Sequence, residues 1–217
     1  MKIAILGGTG AEGAGLGFRW AAAGHEIMIG SRTAERAVAS AAELTAELPA
    51  GAPPITGADN VAAAEQAEVI VLSVPYAAQE STLQAVRAAV QGKLIVSVVV
   101  PLQPPKVARV WHPAGGSAAE EAQVVVGEGA TVVAAFQNIS AHHLRDLSYQ
   151  LDCDVLICGE KAADKELVEQ LCADAGMRGV NAGALANASV AEGLTAVLIG
   201  INMRHKIKDA GIRITGI

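Results

Sequence analysis

Lys2-Ile3-Ala4-Ile5-Leu6-Gly7-Gly8-Thr9-Gly10-Ala11-Glu12-Gly13 reads as a strand, a turn and the start of a helix. Aliphatic residues run straight into a glycine turn, and an Ala-rich stretch from Ala11 to Ala23 follows. Gly8, Gly10 and Gly13 have the Gly-x-Gly-x-x-Gly spacing of a dinucleotide-binding turn in the context that gives it meaning. Each glycine has its own task. Gly8 permits the tight turn, Gly10 lets main chain approach a pyrophosphate, and Gly13 lets helix and strand pack closely. Gly17 lies one helical turn further on the same face and extends that approach. The helix start offers unpaired N–H groups and a partial positive charge to phosphates, so Gly8, Thr9, Gly10, Ala11, Glu12 and Gly13 are candidate contacts.

The next apolar run, Glu26 to Gly30, reads as a second strand and ends in Gly30-Ser31-Arg32. A site for NAD usually places Asp or Glu here to accept from the ribose 2′-hydroxyl. Ser31 and Arg32 are donors instead, and a guanidinium fork suits a 2′-phosphate. Arg36, about one helical turn beyond Arg32, is positioned to close on the same phosphate. NADP(H) is therefore the expected nucleotide. The bland alternative makes Arg32 and Arg36 solvated charges paired with Glu35 or Glu43.

Further along, apolar runs at Val69 to Val74, Leu94 to Val100 and Thr131 to Phe136 alternate with helical stretches at Ala34 to Leu48, Val61 to Glu65 and Gln79 to Val90. This alternation predicts an α/β fold, a Rossmann-type doubly wound parallel sheet covered on both faces. Beyond Asp152 come a strand at Asp154 to Cys158, a helix at Asp164 to Ala175, an extended piece at Gly179 to Ala182 and a helix at Asn187 to His205. The expected organisation is a nucleotide-binding domain over residues 1–145 and a small C-terminal lobe over 146–217, which completes a second-substrate cleft. Ligands in open parallel sheets sit beyond the carboxyl ends of the strands. Ser73, Val74, Pro75, Val100 and Leu102 fall there and are candidates to press on a nicotinamide; Pro75 and Pro101 equally serve as strand terminators.

The 217 residues carry a net charge of -6, which argues against nucleic-acid binding through a diffuse basic surface. Cys153, Cys158 and Cys172 make an odd number unlike a disulfide framework, and the first strand leaves no room for a signal segment ahead of it. A cytoplasmic location follows as an expectation. The apolar run Val190 to Met203 is interrupted by Glu192, Thr195 and Asn202, so a buried or interfacial helix is expected, with no membrane span. No Ser-His-Asp, Cys-His or paired-carboxylate set stands out, and no catalytic acid or base is assigned. His142 and His143 with Cys153 and Cys158 fit no zinc spacing, and no metal is expected.

Several segments together resemble the NADPH-dependent coenzyme F420 reductases, or F420:NADP oxidoreductases, nearly end to end. They are Gly7-Gly8-Thr9-Gly10, Gly24-His25-Glu26 leading to Ile29-Gly30-Ser31-Arg32, Ser73-Val74-Pro75, Val100-Pro101, Ala135-Phe136-Gln137-Asn138-Ile139-Ser140-Ala141, Cys158-Gly159 and Ala182 to Asn187. The resemblance implies direct hydride exchange between C4 of a nicotinamide and C5 of a deazaflavin, a reaction that needs alignment more than acid or base. It also implies NADP contacts from Thr9 to Glu12, Ser31, Arg32, Arg36, Val74, Val100, Leu102 and Ala141. Gln137, Asn138, Ile139 and Ala210 would then face coenzyme F420. Archaeal members carry His-Thr-Ile-Pro where this chain has Gln137-Asn138-Ile139-Ser140, which changes the polar groups a ring would meet. Family members are typically dimers, so a homodimer is implied, with the apolar circumference of the last helix as part of the contact.

Two alternatives keep the nucleotide half and change the rest. One is an NADPH-dependent reductase of a flavin or metal chelate; the other is a non-catalytic NADP-binding redox sensor. The cations Arg204, His205, Lys206 and Lys208 fit either an acidic tail on a deazaflavin or an ordinary helix C-terminus.

Overall fold

In the computed structural model, which describes residues 1–217, six parallel strands form one sheet in the order β3-β2-β1-β4-β5-β6. They are β1 (Lys2–Leu6), β2 (Glu26–Ser31), β3 (Thr56–Asp59), β4 (Val69–Leu72), β5 (Leu94–Ser97) and β6 (Thr131–Ala134). The connecting helices are α1 (Ala11–Ala22), α2 (Ala34–Glu47), α3 (Asn60–Gln66), α4 (Tyr76–Val86) and α5 (Ala118–Val126). This is the expected doubly wound Rossmann sheet. The strand order reverses between β1 and β4, which opens the crevice where such folds bind nucleotides.

The strands read as unbroken apolar runs because both faces are covered. Ile3, Ile5, Val69 and Val71 enter one core, while Ala4, Leu6, Ile70 and Leu72 enter the other. Period-two alternation therefore sorts side chains between two buried layers. Small residues fill much of the second layer: Ala63, Ala64, Ala118, Ala119 and Ala122 bring α3 and α5 close to the sheet.

Two elements were not anticipated. β3 is Thr-Gly-Ala-Asp, too polar for the apolar-run criterion, and it pairs as an edge strand with β2. Gly57 allows it to lie under α2, since a Cβ there would meet the Ala37 carbonyl at 2.4 Å. α5 begins after a long loop, where Ser117 caps it by accepting from the Glu120 amide. The strands also stop earlier than their apolar runs. β4 ends at Leu72, β5 at Ser97 and β6 at Ala134, which leaves Val74, Val98 to Val100 and Phe136 beyond the sheet. α4 starts at Tyr76, directly after Pro75, rather than at Gln79. Apolar character continues past the strand ends because these residues still belong to the two cores, Val98 and Phe136 to one and Val99, with Val74 packed on it, to the other.

After β6 come β7 (Asp154–Ile157), α6 (Ala162–Asp174), β8 (Arg178–Asn181) and α7 (Ala188–His205), close to the expected positions. β7 and β8 form a two-stranded parallel sheet, joined to the main one by an antiparallel bridge between Ala134 and Cys158. Asp154, fully buried, accepts two bonds from Arg178 and one from the Ile214 amide, and so ties the C-terminal tail to this small sheet. These contacts hold its carboxyl down at about 2.

The segment Leu185–His205 is by length and composition apolar enough to cross a membrane, with a mean hydropathy of 1.3. Its middle is docked onto the protein. Glu192, 2% exposed, accepts from the amides of Ala118 at 2.8 Å and Ala119 at 3.0 Å, capping α5 from another helix. Removing it leaves two buried donors without acceptors. Glu192→Ala is therefore expected to lower stability by about 2 kcal/mol, read from urea unfolding. A loss under about 0.5 kcal/mol would show that water takes over the cap.

Candidate active site

The turn after β1 is built by close packing. Gly7 has φ +74, and a Cβ there would strike Val74 Cγ1 at 2.5 Å and the Ser73 carbonyl oxygen at 2.6 Å. Gly8 donates to the carbonyls of Ile5 and Gly30, both at 3.1 Å, which pins the turn to β1 and β2. Gly13 faces Ser73 Oγ and Gly8 Cα, and Gly17 faces Ile5 Cδ1, so α1 lies directly on the sheet.

Gly10 is different. Its backbone, φ -77 and ψ 158, suits any residue, and a Cβ would find nothing nearer than the Gly7 oxygen at 3.7 Å. Packing within the chain does not require glycine here. A pyrophosphate approaching the turn would require it, because a side chain would stand in its path.

No side chain caps α1, and its first helical bond runs from Ala14 to Gly10. The amides of Ala11, Glu12 and Gly13 are thus free donors at the positive end of the helix dipole. Glu12 stands in this first turn, half-buried, and desolvation pushes its carboxyl up to about 8. It is then mostly protonated at neutral pH and adds little negative charge at the helix start. The folded chain keeps a proton that the unfolded chain releases near 4.5, so this group's effect is to lower stability as pH rises from about 4.5 to about 8. Glu192, raised to about 7, acts in the same direction. Thermal unfolding of Glu12→Gln across that range is expected to show a shallower decline than the parent; an identical slope would contradict the assignment.

At the end of β2, Ser31 is buried and Arg32 exposed, and both line a concavity of about 360 Å³ with Asp59, Asn60 and Thr82. Neither Arg32 nor Arg36 makes an ion pair, so pairing with Glu35 or Glu43 does not occur. Arg36 lies in the first turn of α2, exposed, and does not line this concavity. Asp59, which the sequence reading missed together with β3, stands beside Ser31 across the strand pair. Its carboxylate is occupied in capping α3, accepting from Val61 and Ala62 at 2.9 Å each. Another concavity, bounded by Lys2, Glu26, Pro53 and Gln66, lies at the amino ends of the strands, opposite the edge where such sheets bind ligands.

The second half of the site begins at Phe136, an aromatic residue held at φ +73 just beyond β6. Its ring meets Trp20 edge-to-face at 5.7 Å, and the strained backbone turns the following residues away from the sheet. Gln137 Nε2 donates to the Ser97 carbonyl at 2.8 Å, and Asn138 Nδ2 donates to the Ala191 carbonyl at 2.7 Å. Thr195 returns a bond from its hydroxyl to the Gln137 carbonyl. Asn138 Nδ2 also donates to Thr195 Oγ1 at 3.2 Å and so uses both of its N–H groups, whereas Gln137 keeps one; the two side-chain oxygens remain as acceptors.

Gln137, Asn138, Ile139 and Ala141 converge with Ala210 on one cleft of about 210 Å³, although Ala210 is far along the chain. Thr195 and Asn202 of α7, together with Ser140 and Lys208, complete it and were not singled out as pocket residues. Their signal was the spacing Thr195, Leu198, Ile199, Asn202 along one helix face, polar at both ends. α1 touches this side directly: a Cβ at Gly15 would meet Leu144 Cβ at 2.4 Å. Arg19 of the same helix donates to the carbonyls of Leu144, His143, Asp146, Tyr149 and Ala175 and holds the loop after the cleft. Val100 and Leu102, half-buried, stand beyond β5 beside this edge. His143 stacks on Tyr149, ring centroids 3.8 Å apart, and no three His, Cys, Asp or Glu side chains converge as metal ligands.

Residues 2–101 match the sequence family described as "NADP oxidoreductase coenzyme F420-dependent". The F420-dependent NADP reductase of Methanothermobacter marburgensis is 41% identical over 225 residues, spanning 100% of this chain and 99% of the relative. That of Methanocaldococcus jannaschii is 40% identical over 224 residues, again spanning 100% and 99%. Among solved structures, a candidate F420-dependent NADP-reductase from Arthrobacter sp. FB24 superposes with a TM-score of 0.80 at 26% identity, covering 100% of both chains.

Proposed function

The chain belongs to the family of coenzyme F420-dependent NADP oxidoreductases, and on that premise we propose that it exchanges hydride between NADP(H) and coenzyme F420 within one cleft. When bound, the nicotinamide and the deazaflavin supply the redox chemistry themselves; the chain supplies binding, alignment and exclusion of water.

The observation that carries this proposal is the adjacency of two incomplete sites. The free amides of Ala11, Glu12 and Gly13 belong to the helix whose Gly15 packs against Leu144, three residues beyond Ala141 in the second cleft. One short helix thus anchors a pyrophosphate and braces the loop that would hold the other ring. Gly8, Thr9, Gly10 and Gly13 seat the phosphates; Ser31 and Arg32, with Arg36 from the first turn of α2, receive the 2′-phosphate. Ser73, Val74, Pro75, Val100, Leu102 and Ala141 form the apolar wall for the nicotinamide. Gln137 and Asn138 present acceptor oxygens, and Ile139 and Ala210 present apolar surface, to the deazaflavin. An N–H on the ring edge would pair with those oxygens. No catalytic acid or base is assigned, since alignment of the two rings is what the step requires.

Residues 1–145 act as the nucleotide-binding domain and 146–217 as the lobe that closes the second site. The working form is a homodimer in the cytoplasm. α7 exposes Val190 and Val197, and the loop before α5 exposes Val110 and Trp111, an apolar surface suited to a second copy. Free buried thiols at Cys153, Cys158 and Cys172, each raised by burial, suit a reducing compartment. Sedimentation at micromolar concentration would test the dimer.

Mixing the protein with NADPH and oxidised F420 should bleach the deazaflavin absorbance, while FMN in its place should give no comparable rate. Absence of turnover with F420 would overturn the proposal.

A further inference from the structure

We infer that Lys206 and Lys208 form an anion-binding rim on the second cleft, and that this rim takes the phosphodiester and carboxylate tail by which coenzyme F420 differs from its tail-free chromophore, FO. The inference rests on the function proposed above.

α7 ends at His205, and Lys206 adopts the left-handed conformation, φ 54, which turns the chain back. The returning strap is fixed to the cleft by residues of the cleft itself. Asn202 accepts from the Ile207 amide through its carbonyl at 3.1 Å and from the Ala210 amide through its side-chain oxygen at 3.0 Å. Ser140, from the other wall, donates to the Lys208 carbonyl at 2.8 Å. The backbone under both lysines is therefore anchored at three points, two of them on side chains lining the cleft. Lys208 lines the opening, and Lys206 is the exposed residue at which the chain leaves α7 and turns back towards it.

Neither ammonium group has a carboxylate within ion-pair distance. The one acid on the strap, Asp209, turns the other way, accepting from the Tyr149 hydroxyl at 3.2 Å and facing His143. In a chain of net charge -6, two uncompensated cations on a strap anchored to a cleft, one of them lining its opening, favour an anionic ligand. Helix-dipole compensation accounts for Arg204 and His205 in the last turn, but Lys208 lies beyond the helix, where that effect has faded. Arg204 leaves α7 on the side opposite the cleft and is not part of the rim.

The test compares kcat/KM for F420 and for FO in the parent and in the double variant Lys206→Gln, Lys208→Gln, with NADPH saturating. The F420-to-FO ratio should fall about tenfold in the variant, the size expected of two partly screened charge contacts. Added salt should lower the parent's ratio and leave the variant's nearly flat. A ratio unchanged by the double substitution would overturn the inference while leaving the hydride-transfer function standing. Absence of turnover by the parent with both acceptors would instead remove the function on which it rests.

Discussion

Gly10→Ala is expected to fold as stably as the parent and to bind NADPH about 100-fold more weakly, a loss of about 2.8 kcal/mol. Both halves follow from the same geometry. The added methyl meets no atom of the chain closer than 3.7 Å, and φ -77 is ordinary for alanine, so folding is unaffected. The methyl does occupy the space through which phosphate oxygens must reach the free amides of α1. Gly13→Ala provides the contrast. Its Cβ would stand 2.9 Å from Ser73 Oγ and 3.0 Å from Gly8 Cα, so the cost of about 1–3 kcal/mol falls on stability. Denaturant unfolding with NADPH titration separates the two. If Gly10→Ala lost stability while retaining affinity, the turn would be a structural device and not a phosphate seat.

Arg32→Ala should weaken NADPH about 50-fold and leave NADH within about twofold, since charge-assisted bonds to the 2′-phosphate exist only in the former. The guanidinium is exposed and unpaired in the free protein, so its removal breaks no internal contact and stability should hold. The effect of Arg36→Ala should be smaller. That residue sits outside the concavity formed by Ser31, Arg32 and Asn60 and can reach a bound phosphate only by swinging across the first turn of α2. Dissociation constants for the two nucleotides, measured on each variant, check both statements. Equal weakening of NADPH and NADH by Arg32→Ala would remove that residue from phosphate recognition.

The sheet was legible in the sequence because its signal is local. β1, β2, β4, β5 and β6 are runs of Ile, Val and Leu buried on both sides, and the glycine turn after β1 has a spacing that few other structures require. β3 was missed because Thr56, Gly57, Ala58 and Asp59 make no apolar run: Gly57 is selected by the backbone of Ala37 in α2, and Asp59 by the cap it supplies to the start of α3. The strand ends were overextended because Val74 and Val98 to Val100 remain apolar after leaving the sheet.

The candidate site divides along the same line. Its nucleotide half is one contiguous turn, so Gly8, Gly10, Ser31 and Arg32 could be named from spacing alone. The second cleft is assembled from Gln137 to Ala141, one face of α7 and the strap around Lys208 and Ala210, and no periodicity links those segments. Likeness to relatives supplied Gln137, Asn138, Ile139 and Ala210, but Thr195, Asn202 and Ser140 emerged only when the chain was folded. The commitment of the Gln137 and Asn138 nitrogens to main-chain carbonyls is likewise a property of three dimensions. Glu192, read from sequence as a polar interruption in an apolar run, proves to be the cap of a helix some seventy positions away.

Transfer of label from NADPH to the deazaflavin tests the two-ring cleft most directly. NADPH carrying deuterium on one face of C4 is mixed with oxidised F420 and the protein, and the reduced product is analysed by mass spectrometry. One of the two deuterated diastereomers should deliver a full deuterium to C5 of the product, and the other none. Reduced F420 that carries only solvent hydrogen with both diastereomers would mean that the rings never meet in this cleft.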